Sequence, residues 1–168
     1  MKKEKGFSLI ELLIVVAIIL IIAAIAIPNL MRSKMAANES SAISSLRTIN
    51  TAEVTYATIY PSVGYSNDLP SLGGLPAACS VPGGATSATA CIVDEVLATA
   101  TSLANAKSGY FFTYGGLIAV GGINTSYTVT ASPTIVGTAG QRYFFTDQSG
   151  VLRYGLTGPA TLASSAIQ

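Results

Sequence analysis

Few residues in this chain are of types that do chemistry. There is no histidine among its 168 residues. A Cys/His metal site and a catalytic Ser–His or Cys–His pair are therefore excluded. In the second half the acids are Asp68, Asp94, Glu95 and Asp147. Asp94 and Glu95 are adjacent, so on a helix or a strand they point apart. Asp147-Gln-Ser-Gly150 shares a beginning with calcium loops but lacks the acids such a loop needs. No glycine motif of the phosphate-binding kind occurs. The expectation is a protein that is not an enzyme, with no cofactor and no metal. Two cysteines, Cys79 and Cys91, lie in the Gly/Ser-rich half with eleven residues between them. After an export-type N-terminus they read as one disulfide, with a pair of buried free thiols as the alternative.

The residue that most demands an explanation is Glu11. It sits near the start of Phe7–Ile27, a run that is apolar apart from Ser8 and Glu11. As a helix this run would span about 30 Å, the thickness of a bilayer core. Lys2, Lys3 and Lys5 precede it, so the positive-inside rule predicts a cytoplasmic N-terminus and an external C-terminal part. A carboxylate in such a helix costs on the order of 2.5–3.5 kcal/mol at the bilayer centre and less near the interface. Nothing inside the segment is expected to pair with it. Cleavage between Gly6 and Phe7 would create an α-amino group four residues before Glu11. That group could neutralise the carboxylate of an adjacent copy. Two other readings remain, a secretory signal peptide cut after Ala24-Ile25-Ala26 and a permanent single-span anchor.

Lys5-Gly6-Phe7-Ser8-Leu9-Ile10-Glu11 followed by an aliphatic run closely resembles the type IV prepilin signature. The resemblance covers about the first thirty residues. It implies a leader over residues 1–6, cleavage by a prepilin peptidase at the Gly6–Phe7 bond, and N-methylation of Phe7. It assigns Glu11 the pairing with a neighbour's N-terminus during assembly, and it places Pro28 where pilins carry a helix-bending proline. The partners it implies are copies of the same chain in a helical filament, the prepilin peptidase and an inner-membrane assembly platform. Membrane lipid would surround the helix before assembly. The chain would be a single-pass bacterial inner-membrane protein and then part of an extracellular pilus. A pseudopilin of a type II secretion system shares this chemistry and is the alternative. A membrane-tethered monomeric binding domain is a third possibility. No nucleic acid is expected, because the formal net charge is +1 and no Lys/Arg stripe occurs.

These residues need a scaffold. No glycine occurs from Phe7 to Val63, and only Pro28 interrupts before Pro61. This predicts one helix from Phe7 to about Tyr60, bent at Pro28. Residues 7–28 form its transmembrane and assembly half, and residues 29–60 an amphipathic half. In that half Met35, Ala42, Leu46, Ile49, Ala57 and Tyr60 share one side, with Ile43 at its edge. Ser40, Ser44, Arg47, Thr48, Thr51, Thr55 and Thr58 share the other. Glu39 and Glu53 project near the apolar stripe and are expected to reach solvent, with an inter-subunit salt bridge as the alternative.

Residues 61–168 should form the C-terminal domain. Val63 to Thr89 reads as loop, and Ile92 to Leu103 as a short helix with Asp94 and Glu95 in its first turn. Strands are expected at 109–114, 126–131, 142–146 and 151–154, the last two joined by a hairpin through Gly150. Leu117–Val120 either extends the first strand or stands alone. The aromatic runs Tyr110–Tyr114 and Tyr143–Phe145 read as core. Tyr65 and Tyr127 are too isolated in sequence to carry an argument. The fold class is α+β: a long N-terminal helix covering a small antiparallel sheet, which is also the type IV pilin fold that the resemblance implies. The resemblance further implies that the Cys79–Cys91 loop and the tail after Tyr154 are exposed on a filament.

Overall fold

The computed structural model describes residues 7–167; the leader, including Gly6, lies outside the described residues. Helix α1 runs from Leu9–Ile59 without a break. It divides between two compact units, which meet between Lys34 and Met35. In the first unit, none of residues 7–34 is buried and only Ala23 is half-buried. Leu9, Leu20, Ile21, Ile25 and Leu30 each expose more than 60% of their surface. An apolar helix with no cover of its own chain needs lipid or other helices around it. Pro28 is accommodated inside α1, where it removes the donor for the Ala24 carbonyl.

The second unit, Met35–Gln168, holds the core. The sheet has five strands, β1(Tyr110–Val120), β2(Ile123–Pro133), β3(Tyr143–Asp147), β4(Arg153–Gly155) and β5(Ser165–Ala166). They lie in sequence order, and each neighbouring pair is antiparallel. Register sets Phe112 against Ala131 and Ala131 against Phe144, so the three share one face. That face buries Tyr110, Phe112, Tyr127, Val129 and Phe144. Ala42, Leu46, Ile49, Ala52 and Tyr56 of α1 join them in one cluster. A helix stripe thus covers the sheet face, as the periodicity predicts. Its axis differs from the expected one. Ala52, Glu53 and Tyr56 lie at its centre, while Met35, Ala57 and Tyr60 are only half-buried.

Three further elements differ from the expectation, while Leu117–Val120 takes one of its two expected places. Leu117–Val120 is the far end of β1, and Gly121 and Gly122, with φ of 61° and 83°, turn the chain directly into β2. Two positive-φ residues are what a two-residue hairpin of matching twist requires. The helix expected over Ile92–Leu103 is only α3(Glu95–Ala98), capped by Asp94, whose carboxylate accepts the Leu97 N–H. It ends there because the Ala100 carbonyl accepts the Phe112 N–H at 2.7 Å and so covers the edge of β1. The loop over 63–89 holds α2(Pro76–Cys79) and a 3₁₀ turn at Pro70–Leu72. The tail after Tyr154 returns to the sheet as β5, with the Ile167 N–H donating to the Leu152 carbonyl at 2.8 Å. Two residues of strand are too short to leave a periodic signal.

Candidate functional site

At the N-terminus, Ser8 caps α1. Its carbonyl accepts the Leu12 N–H at 3.2 Å, and its own N–H donates to Glu11 Oε2 at 2.9 Å. Ser-x-x-Glu with the acid reaching back to the cap amide is half of a capping box. The expectation that nothing in the segment meets Glu11 is therefore corrected. The sequence carried the signal in the Ser8–Glu11 spacing. One backbone amide satisfies one carboxylate oxygen, and among the described residues no cation pairs with the charge. Phe7 and Glu11 are both exposed in the single chain.

Further along α1, Glu39 and Glu53 correct a second expectation. Neither reaches solvent, with exposures of 7% and 0%. Glu39 Oε1 accepts the backbone N–H groups of Gln141 and Arg142, and Oε2 accepts Arg142 Nε at 2.7 Å. The ion pair is thus made within the chain. Beside it the Asn38 amide donates to the Ala139 carbonyl, and the Tyr110 hydroxyl to the Arg142 carbonyl. Arg142 also lies over the rings of Phe144 and Tyr154. Glu39 thereby ties α1 to the strand entry at 139–142.

Glu53 has no such counterion. Its Oε2 accepts the Ser66 N–H at 2.9 Å, and its Oε1 accepts the Ser66 hydroxyl at 2.6 Å and the Tyr114 hydroxyl at 2.8 Å. Burial pushes its carboxyl above the usual range, and the three donors only partly offset this. Burial also raises Tyr56, Tyr114 and Tyr127 above the usual phenol value, with the Glu53 charge adding to each. Tyr127 packs edge-on to Tyr65, stacks on Tyr114, and donates its hydroxyl to Asn50 Oδ1. The two tyrosines that looked isolated in sequence are therefore neighbours of the buried acid. Nothing in the sequence near them could have shown this, since their partners lie on other elements.

Cys79 and Cys91 form a disulfide with Cα atoms 5.7 Å apart. Cys91 has a positive φ of 58°. Backbone bonds to the Gly73 and Leu72 carbonyls hold Cys91 and Ile92. Among the described residues, no group of three or more His, Cys, Asp or Glu side chains gathers as a metal site would require.

With this geometry in view, comparison with known proteins is specific at one end of the chain. Residues 1–27 match the family described as the prokaryotic N-terminal methylation motif. The first 27 residues carry that motif. It is 46% identical over 54 residues to the type IV major pilin protein PilA of Myxococcus xanthus. It is 58% identical over 40 residues to the type IV wide pilus major component PilA4 of Thermus thermophilus. These stretches cover 32% and 24% of this chain, and only 24% and 30% of the two relatives. No solved structure is significantly similar to the chain. The placed part of the likeness is the motif over residues 1–27, and the long helix with a five-stranded antiparallel sheet is an α+β, pilin-like arrangement.

Proposed function

We propose that this chain is the structural subunit of a type IV pilus filament. It would be held in the inner membrane by residues 7–28, cleaved after Gly6 by a prepilin peptidase, and N-methylated at Phe7. Assembly would bring the new amine of one copy to Glu11 of the next. The observation that carries this reading is the uncovered apolar helix of residues 7–34, with the exposed carboxylate of Glu11 near its start bonded only to the Ser8 N–H among the described residues. Assembly replaces lipid by helices, so packing and the neutralised pair supply the driving force rather than the hydrophobic effect. Both curated relatives are named as major pilus components, which supports a pilus over a secretion pseudopilus. The part residues 61–168 play in such a filament, and the absence of an enzymatic role, belong to the same proposal.

Two measurements test it. The mature N-terminal peptide should have the mass of a chain starting at methylated Phe7; a start at Ile27 overturns the reading. Glu11→Gln keeps an oxygen that can accept the Ser8 N–H but removes the charge. It should leave the protein in the membrane while surface filaments fall at least tenfold by imaging. Filaments at normal abundance would show that Glu11 acts only as a cap.

A further inference from the structure

Glu53 is the most enclosed charged group among the described residues, and its surroundings are unusual in one respect. The oxygens that bind it have a second set of acceptors within reach. Ser66 Oγ lies 3.0 Å from the Asp68 carbonyl oxygen, and the Tyr114 hydroxyl lies 3.0 Å from the Ser66 carbonyl oxygen.

Each protonation state then has a full set of partners. With Glu53 ionised, the Ser66 hydroxyl and the Tyr114 hydroxyl both donate to Oε1, and the Ser66 N–H donates to Oε2. With a proton taken from solvent onto Oε1, the new O–H donates to Ser66 Oγ across the same 2.6 Å. The Ser66 proton turns to the Asp68 carbonyl and the Tyr114 proton to the Ser66 carbonyl. Oε2 keeps the Ser66 N–H. Only hydroxyl rotations separate the two states, so neither leaves a buried orphan.

We propose that Glu53 is a proton-operated clamp that joins α1 to the 65–68 segment in either protonation state, passes the β1 hydroxyl of Tyr114 from its own carboxylate to the Ser66 carbonyl on protonation, and holds most firmly when protonated. Of the titratable groups around it, Tyr114 from β1 donates to Glu53 directly, and the Glu53 charge also reaches Tyr56 of α1 and Tyr127 of β2. Beyond these, Asp68 and Tyr60 lie near Tyr56, and Tyr65 and Asp147 near Tyr127. None is a cation. With no positive charge to hold the ionised form, burial raises the carboxyl, and the donors on Ser66 and Tyr114 oppose it only in part. The inference does not rest on the filament reading.

The sign of the effect follows from linkage. A carboxyl whose folded pKa is raised binds its proton more tightly in the folded state than in the unfolded one. Stability therefore falls as pH rises from the unfolded value, about 4.5, through the folded value. Glu53→Gln reproduces the acid pattern, with its amide donating to Ser66 Oγ and its oxygen accepting the Ser66 N–H. In the full chain in detergent micelles, the melting temperatures of wild type and Glu53→Gln should coincide near pH 4. They should separate in favour of Gln as pH approaches 8. Parallel melting curves across that range overturn the proposal. Should the variant fail to fold, the side-chain carboxyl ¹³C shift of Glu53 in the wild type decides the matter. A titration midpoint above 4.5 supports the clamp, and one at or below it refutes the clamp.

Discussion

Glu11, Glu39 and Glu53 lie on one helix and solve the problem of an acid among apolar side chains in three ways. Glu11 takes a backbone amide and remains accessible. Glu39 takes two amides and an arginine. Glu53 takes an amide and two hydroxyls, with burial holding its carboxyl high. The difference matters for substitution. Glu39→Ala strands the Gln141 and Arg142 amides beneath α1 and leaves Arg142 without its carboxylate. Each buried amide left unmatched in this way costs roughly 1–3 kcal/mol. Denaturant unfolding should show that loss, and a change below 0.5 kcal/mol would mean that water replaces the carboxylate. The half-exposed Lys107–Asp94 pair, at 3.4 Å, is the contrasting case. Exposed pairs contribute ~0–1 kcal/mol, so Lys107→Ala should leave unfolding almost unchanged.

At the scale of elements, the sheet and the disulfide loop hold different parts of the second unit. The hairpin of β1 and β2 makes the longest pairing, Tyr110 through Val120 against Pro133 through Ile123. The short α2 and the turn before it have little regular structure of their own, and the Cys79–Cys91 bridge closes them into a loop. Cross-linking a loop of this size stabilises by roughly 3 kcal/mol on the chain-entropy view. Replacing both cysteines by serine should lower the thermal midpoint of the oxidised protein to that of the reduced wild type. A reduced wild type that melts at the oxidised temperature would mean that the bonds of Ala90, Cys91 and Ile92 to Ser71, Gly73 and Leu72 already fix the loop.

For the whole molecule, the division between Lys34 and Met35 separates two kinds of stability. Among the described residues every buried side chain lies at Glu39 or beyond, and the core cluster begins at Ala42. A chain starting at Met35 should therefore fold alone, stay in solution without detergent, and unfold in one cooperative step by circular dichroism. The full chain should partition into detergent or membrane. Aggregation of the shortened chain would show that the core needs the apolar segment after all.

The sequence by itself determined the long helix, its division into an apolar and an amphipathic half, the strand regions and the Gly6–Glu11 signature. These are local matters of breaker residues, periodicity and spacing, and the chain states them within a few turns of helix or a few residues of strand. The Cys79–Cys91 pairing was legible because only two cysteines exist. Only the tertiary structure decided the fate of Glu39 and Glu53. Their partners, Arg142 and the Ser66–Tyr114 pair, lie more than a hundred and up to sixty-one positions away. A carboxylate at the margin of an apolar stripe faces water or a buried donor according to what the rest of the chain lays over it, and periodicity along one helix carries no record of that cover.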